Sequence, residues 1–149
     1  MAVMRASFAD PAAAARYLAS RLTLDPRVLV VTGSAGREAV ANGLEEAVQV
    51  PFGEIPGLPS TGLSGHPGYY VYGRLGGRAV LVQVGRFHRY EGCPARTVAV
   101  PIEVAAMLGV RVAVLTNAAG SIRADLEPGT IVALDGHLDL QGSRAAAPD

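Results

Sequence analysis

Two segments, residues 27–32 (RVLVVT) and 112–116 (VAVLT), are apolar without alternation. A strand with one face in water shows a period of two. A continuous, β-branched run suits a strand covered on both faces. Such strands belong to sheets sandwiched between helices and joined by long crossovers. Helical signals do stand between and around these runs. Asp10-Pro11 precedes an alanine-rich stretch, and together they predict a capped helix over residues 12–22. Residues 37–46 predict another helix, with Glu45 and Glu46 on its solvated face. Residues 97–108 predict a third, ended by Gly109, with Pro101 kinking it or marking its real start.

The middle of the chain reads differently. Residues 69–75 and 78–84 flank Gly76-Gly77, the pattern of a β-hairpin. Tyr69, Tyr70 and Tyr72 on its first strand read as packing residues. Residues 51–68, rich in proline and glycine, predict a long loop, a length that in a small domain points to function or disorder. Residues 130–134 predict a last strand. The fold class is therefore α/β, a mostly parallel, mixed central sheet flanked by helices with an inserted β-hairpin, in one domain spanning residues 1–149.

Half of the 149 residues are hydrophobic and only 17% are charged, with a formal net charge of zero. No basic run is present, which disfavours nucleic acid and anionic membranes as partners. No apolar stretch reaches the length of a membrane span, and the N-terminus lacks the apolar core of a signal peptide. The single cysteine, Cys93, excludes an internal disulfide and has no activating neighbour in the sequence pattern. A cytoplasmic protein is the expectation. Low charge with high apolar content points to homo-oligomerisation or to a partner segment that covers the excess.

The chemistry concentrates after strands. Gly85-Arg86-Phe87-His88-Arg89-Tyr90-Glu91-Gly92 follows the second hairpin strand. In an open α/β sheet, ligands bind beyond the carboxyl ends of the strands. The Arg86 guanidinium is a fixed fork of donors for phosphate or carboxylate oxygens. His88 adds a donor, and Tyr90 adds a hydroxyl or a ring face. Gly33-Ser34-Ala35-Gly36 follows the first strand, and Asn117-Ala118-Ala119-Gly120 follows the run at 112–116. The first supplies backbone N–H groups and the Ser34 hydroxyl for an anion, the second a small-residue approach at Ala118. A plain turn is the competing reading of each. His66 sits in a loop between turn residues. His66, His88 and His137 fit no zinc spacing, so no metal is expected. Neither a P-loop nor a dinucleotide fingerprint is present, and no acidic residue stands where a ribose-binding carboxylate belongs.

Taken together, these motifs resemble the trimeric class of purine nucleoside phosphorylases. The resemblance runs from about Val28 to Gly142. It is carried by Gly33-Ser34, Ile55-Pro56, Gly65-His66-Pro67-Gly68, the hairpin around Gly76-Gly77, the Gly85-to-Gly92 segment, Leu115-Thr116-Asn117-Ala118-Ala119-Gly120, and residues 135–142. It implies a partial phosphorylase/hydrolase-like fold and the phosphorolysis of purine nucleosides to free purine and ribose 1-phosphate. Inorganic phosphate would be co-substrate, with no cofactor. Ser34, His66, Arg86, His88 and the backbone around Ala118 would hold phosphate, with Arg86 and His88 as the catalytic pair. Arg86 positions the anion against an oxocarbenium-like centre, and His88 donates to phosphate or adjusts its protonation. Tyr90 would contact the nucleoside, and the assembly would be a trimer.

Two departures accompany the resemblance. The family's phosphate loop is richer in glycine; here Ala35 takes the place of its middle glycine, and Arg37 adds a charge. Family members are also about twice as long, so this chain matches the phosphate-binding half and lacks the half that reads the purine. The alternative function is a catalytically inactive fragment that binds phosphate or pairs with a full-length homologue.

Overall fold

The structure, a computed structural model, describes residues 10–33, 42–58, 68–91, 93–138 and 140. Among them are five strands, β1 (Val28–Thr32), β2 (Glu45–Pro51), β3 (Tyr69–Leu75), β4 (Arg78–Val84) and β5 (Val112–Leu115), and two α-helices, α1 (Pro11–Ala19) and α2 (Ala95–Met107). The strands form one sheet in the order β2-β3-β4-β1-β5. β1 lies parallel to both β4 and β5, while β2-β3-β4 is an antiparallel meander. The parallel half thus holds the two unalternating runs, and the hairpin extends the sheet on the other side.

The hairpin register follows from its turn. Gly76 and Gly77 both have positive φ, a conformation that costs other residues a steric penalty. This pairs Leu75 with Arg78 and carries the register to Tyr69 opposite Val84. Both faces are then apolar. One carries Leu29, Val31, Tyr70, Tyr72 and Leu81 against Ala14 and Leu18 of α1 and Val100 and Val104 of α2. The other gathers Val71, Val80, Val82 and Val84.

The capping chemistry of α1 follows the sequence: the Asp10 carboxylate accepts from the Ala13 N–H at 3.0 Å and Pro11 opens the helix. α2 begins at Ala95 and runs through Pro101, so this proline does not mark its start. The buried Tyr70 hydroxyl donates to the Pro101 carbonyl at 2.9 Å and ties the helix to the sheet.

Three expectations are overturned. The run at 112–116, read as a strand covered on both faces, forms β5, whose four residues are exposed because it ends the sheet among the described residues. Residues 45 and 46 belong to β2, not to a helix: Glu45 pairs with Arg74, and the Glu46 carboxylate lies 3.5 Å from the Arg74 guanidinium. The pair is solvent-exposed, as expected, but on an edge strand. Asn42-Gly43 forms a turn immediately before it, a strong strand-entry signal inside the predicted helix. The first part of that helix, residues 37–41, lies outside the described residues. Residues 130–134 are not a strand. They lie exposed, with Ile131 96% accessible, and no strand edge pairs with them.

Burial makes one pH effect predictable. The Tyr70 phenol is removed from water, which pushes its pKa up, far above the ordinary value of 10.0. The folded state therefore holds the neutral phenol, and its stabilising effect is complete below pH about 10. Above that pH the unfolded chain releases the proton and the folded chain does not, so stability falls as pH rises. Alkaline melting curves of the parent chain should show this decline. In Tyr70→Phe the decline contributed by this phenol should vanish, at a loss of about 1 kcal/mol at neutral pH for the missing hydrogen bond.

Candidate functional site

The carboxyl ends of the parallel strands β4, β1 and β5 lie side by side, and each hands the chain to a motif singled out in the sequence. They are laced together. The Thr116 backbone N–H and its Oγ1 both donate to the Val31 carbonyl, at 3.0 and 2.9 Å. On the other side of β1, the Gly85 N–H donates to the Thr32 carbonyl at 3.4 Å, and Thr32 Oγ1 donates to the Gln83 carbonyl at 3.3 Å.

Arg86 crosses this edge. It leaves β4, passes over the end of β1 and donates through Nη1 to the Thr116 carbonyl beyond β5, at 3.1 Å. The crossing depends on Gly33: a Cβ at that position would lie 3.2 Å from Arg86 Nη2. Gly33 therefore serves as floor for the guanidinium as well as strand end. Gly85 makes the turn with φ 87°, and a Cβ there would stand 3.2 Å from the Gly68 Cα. Gly33 and Gly85 thus each have a steric reason.

Phe87 turns inward. It is 2% exposed and its ring lies 5.4 Å from Phe52, which in turn meets Tyr70 edge-on at 5.0 Å. This aromatic column fixes the backbone between Arg86 and His88, so the two half-buried polar side chains emerge on either side of an anchored residue. The His88 ring stacks on Tyr90 with centroids 4.7 Å apart and planes 20° from parallel. Tyr90 itself is 81% exposed.

Of the expected site residues, Arg86, His88 and Tyr90 are brought to one loop at the strand ends. Ala118 lies two residues past Thr116, exposed, on the segment that Arg86 contacts. Ser34 and His66 lie outside the described residues, as do Ala35 and Arg37. Among the described residues no cluster of histidine, cysteine and carboxylate side chains suits a metal ion. No helix among them is long and apolar enough to cross a membrane. Two further residues shape this edge, Phe87 and Thr116. The signal for Phe87 was available, since an apolar residue between Arg86 and His88 occupies the inward position of an extended segment. The Thr116 carbonyl has no sequence signal.

The Arg86 guanidinium thus lies at the carboxyl ends of three adjacent parallel strands, where open α/β sheets bind their ligands. Residues 27–149 match the Phosphorylase superfamily, and the chain belongs to that family. Its similar relatives are purine nucleoside phosphorylases. The chain is 36% identical to purine nucleoside phosphorylase 1 of Geobacillus stearothermophilus over 87% of its own length and 47% of the relative's. It is 39% identical to the Bos taurus enzyme over 90% of its length and 46% of that protein's. The Schistosoma mansoni purine nucleoside phosphorylase solved in complex with inosine superposes with a TM-score of 0.71 at 34% identity, over 78% of this chain and 40% of the other. The chain thus spans about half the length of the relatives it matches.

Filling the space above Gly33 should disturb Arg86 more than folding. In Gly33→Ala the new methyl displaces the far end of a flexible arginine, so stability changes by less than about 1 kcal/mol. The order parameter of the Arg86 Nε–H group should fall as the guanidinium moves off its rest, and an unchanged value would contradict the contact.

Proposed function

We propose that this chain carries the phosphate-binding half of a purine nucleoside phosphorylase, a pentosyltransferase that converts a purine nucleoside and inorganic phosphate into free purine and ribose 1-phosphate. The observation that carries the proposal is the Arg86 guanidinium held across Gly33 to the Thr116 carbonyl. It presents a fixed positive charge at the mouth of the parallel strands, where an oxyanion would meet its remaining N–H groups.

The reaction follows from that charge. As the bond between ribose C1′ and the purine nitrogen lengthens, positive charge grows on the sugar, as in glycoside hydrolysis. A phosphate oxygen held against C1′ stabilises that charge and then forms the new bond, while the electron pair of the broken bond leaves with the purine and takes up a proton there. Arg86 orients the phosphate without giving up a proton. His88 donates to a phosphate oxygen, and its stacking on Tyr90 holds the ring toward the sugar side. Ser34, His66 and the backbone at Ala118 complete the phosphate cradle, and Tyr90 contacts the ribose. Inorganic phosphate is the only co-substrate, without a cofactor, and the working assembly is a trimer.

Purine release from inosine tests this. The chain alone should release none. Supplied with the C-terminal portion of the Geobacillus relative, it should release hypoxanthine only when phosphate is present. Release that ignores phosphate, or none from a folded pair, would refute the reading.

A second reading rests on a separate observation. β5 is an edge strand with all four residues exposed, and Ile122, Ile131, Leu134, Leu138 and Leu140 are exposed as well. Such an edge invites pairing with another chain. In this reading the protein is catalytically inactive and pairs with a full-length homologue. Native mass spectrometry of the chain mixed with such a homologue should then show a mixed complex that Val114→Lys abolishes, whereas purely monomeric species would exclude the pairing.

A further inference from the structure

Gln83 lies on β4 two residues before the Gly85 turn and is 3% exposed. It pairs with Val31 on one side and Tyr70 on the other, both buried on the helix-covered face of the sheet. An amide in such surroundings is an unfavourable choice unless both of its polar atoms are matched. They are not. Nε2 donates to the Gly85 carbonyl at 2.9 Å, whereas Oε1 is buried with no hydrogen-bond partner among the described residues. The amide orientation is set by that contact, because the reverse would bring two oxygens together.

A methionine or leucine would fill this space without the unmatched oxygen, so core packing does not account for the glutamine. What it does uniquely is hold the Gly85 carbonyl. That carbonyl belongs to the peptide unit joining Gly85 to Arg86, at the residue whose φ of 87° turns the chain out of β4. We infer that Gln83 is a positioning residue for Arg86: its buried amide clamps the Gly85–Arg86 peptide and so aims the guanidinium across Gly33. This rests on the phosphate role given to Arg86 above. The residue trades stability for orientation, a pattern expected where a site needs a fixed geometry.

Gln83→Met separates the two roles, because it keeps the shape and removes the donor. Three readouts on the full chain are needed: melting temperature, the order parameter of the Arg86 Nε–H group without phosphate, and the affinity for inorganic phosphate. The melting temperature should stay level or rise. The order parameter should drop toward the mobile range, below about 0.6. Phosphate binding should weaken about tenfold. A residue that merely packs would lower the melting temperature and leave the other two unchanged.

Unchanged Arg86 order and unchanged affinity in the variant would overturn the inference. A parent chain that binds no phosphate would overturn the phosphate role instead, and the Arg86 order parameter then decides the positioning role by itself. If Gln83→Met does not fold, Gln83→Leu also lacks the donor, and the same readouts apply.

Discussion

Arg86→Ala should lower the affinity of the chain for inorganic phosphate by a factor of about a hundred or more. A preorganised donor to an oxyanion is worth roughly that much, and hydrogen bonds from an ionised donor are about twice as strong as neutral ones. Arg86 is half-buried, and its bond to the Thr116 carbonyl lies at the exposed edge of the sheet. The fold should therefore survive, with melting nearly unchanged. Arg86→Lys keeps the charge but loses the fork, and a shorter reach over Gly33 leaves the Thr116 carbonyl unmet. It should recover only part of the affinity, about a tenth of the parent's. Calorimetric titration of the three proteins checks the series, and equal affinities would remove Arg86 from the site.

Phe87→Ala should have the largest effect on stability. The side chain is 2% exposed and closes the aromatic column through Phe52 to Tyr70. Truncating a buried phenylalanine costs about 3–5 kcal/mol. Set against a typical stability of about 5–15 kcal/mol, that loss leaves a small domain near its threshold. The consequence for the site is direct, since Phe87 sits between Arg86 and His88 and fixes the exit vector of both. Chemical denaturation should show a lower midpoint with an unchanged slope. Whatever fraction remains folded should bind phosphate poorly. Phe87→Leu should restore most of the stability, and a variant as stable as the parent would contradict the role given to the column.

The fold was legible where the chain's own local chemistry decides it. Asp10-Pro11 capped a helix, Gly76-Gly77 set a hairpin, and unalternating apolar runs became the parallel strands β1 and β5. It was illegible where a partner decides. Glu45 and Glu46 look helical by propensity, yet Arg74 on the neighbouring strand and the Asn42-Gly43 turn draw them into β2. Residues 130–134 carry a strand's composition, but a strand exists only beside another edge, and none among the described residues meets them.

The site divides the same way. Arg86, His88 and Tyr90 are legible as candidates because polar and aromatic residues stand clustered after a strand. The crossing of Arg86 over Gly33 to Thr116 was not foreseen, because it depends on β4, β1 and β5 lying adjacent, an order that no local pattern encodes. Gln83 was read simply as part of a strand; only burial reveals an amide held at the foot of the site.

The most direct test of the central claim is a titration of inorganic phosphate into the purified chain beside Arg86→Ala, at equal folded concentration. Saturable binding by the parent and its loss in the variant is the predicted result. No saturable binding by the folded parent, or the same binding in both proteins, would contradict an oxyanion site at the ends of β4, β1 and β5.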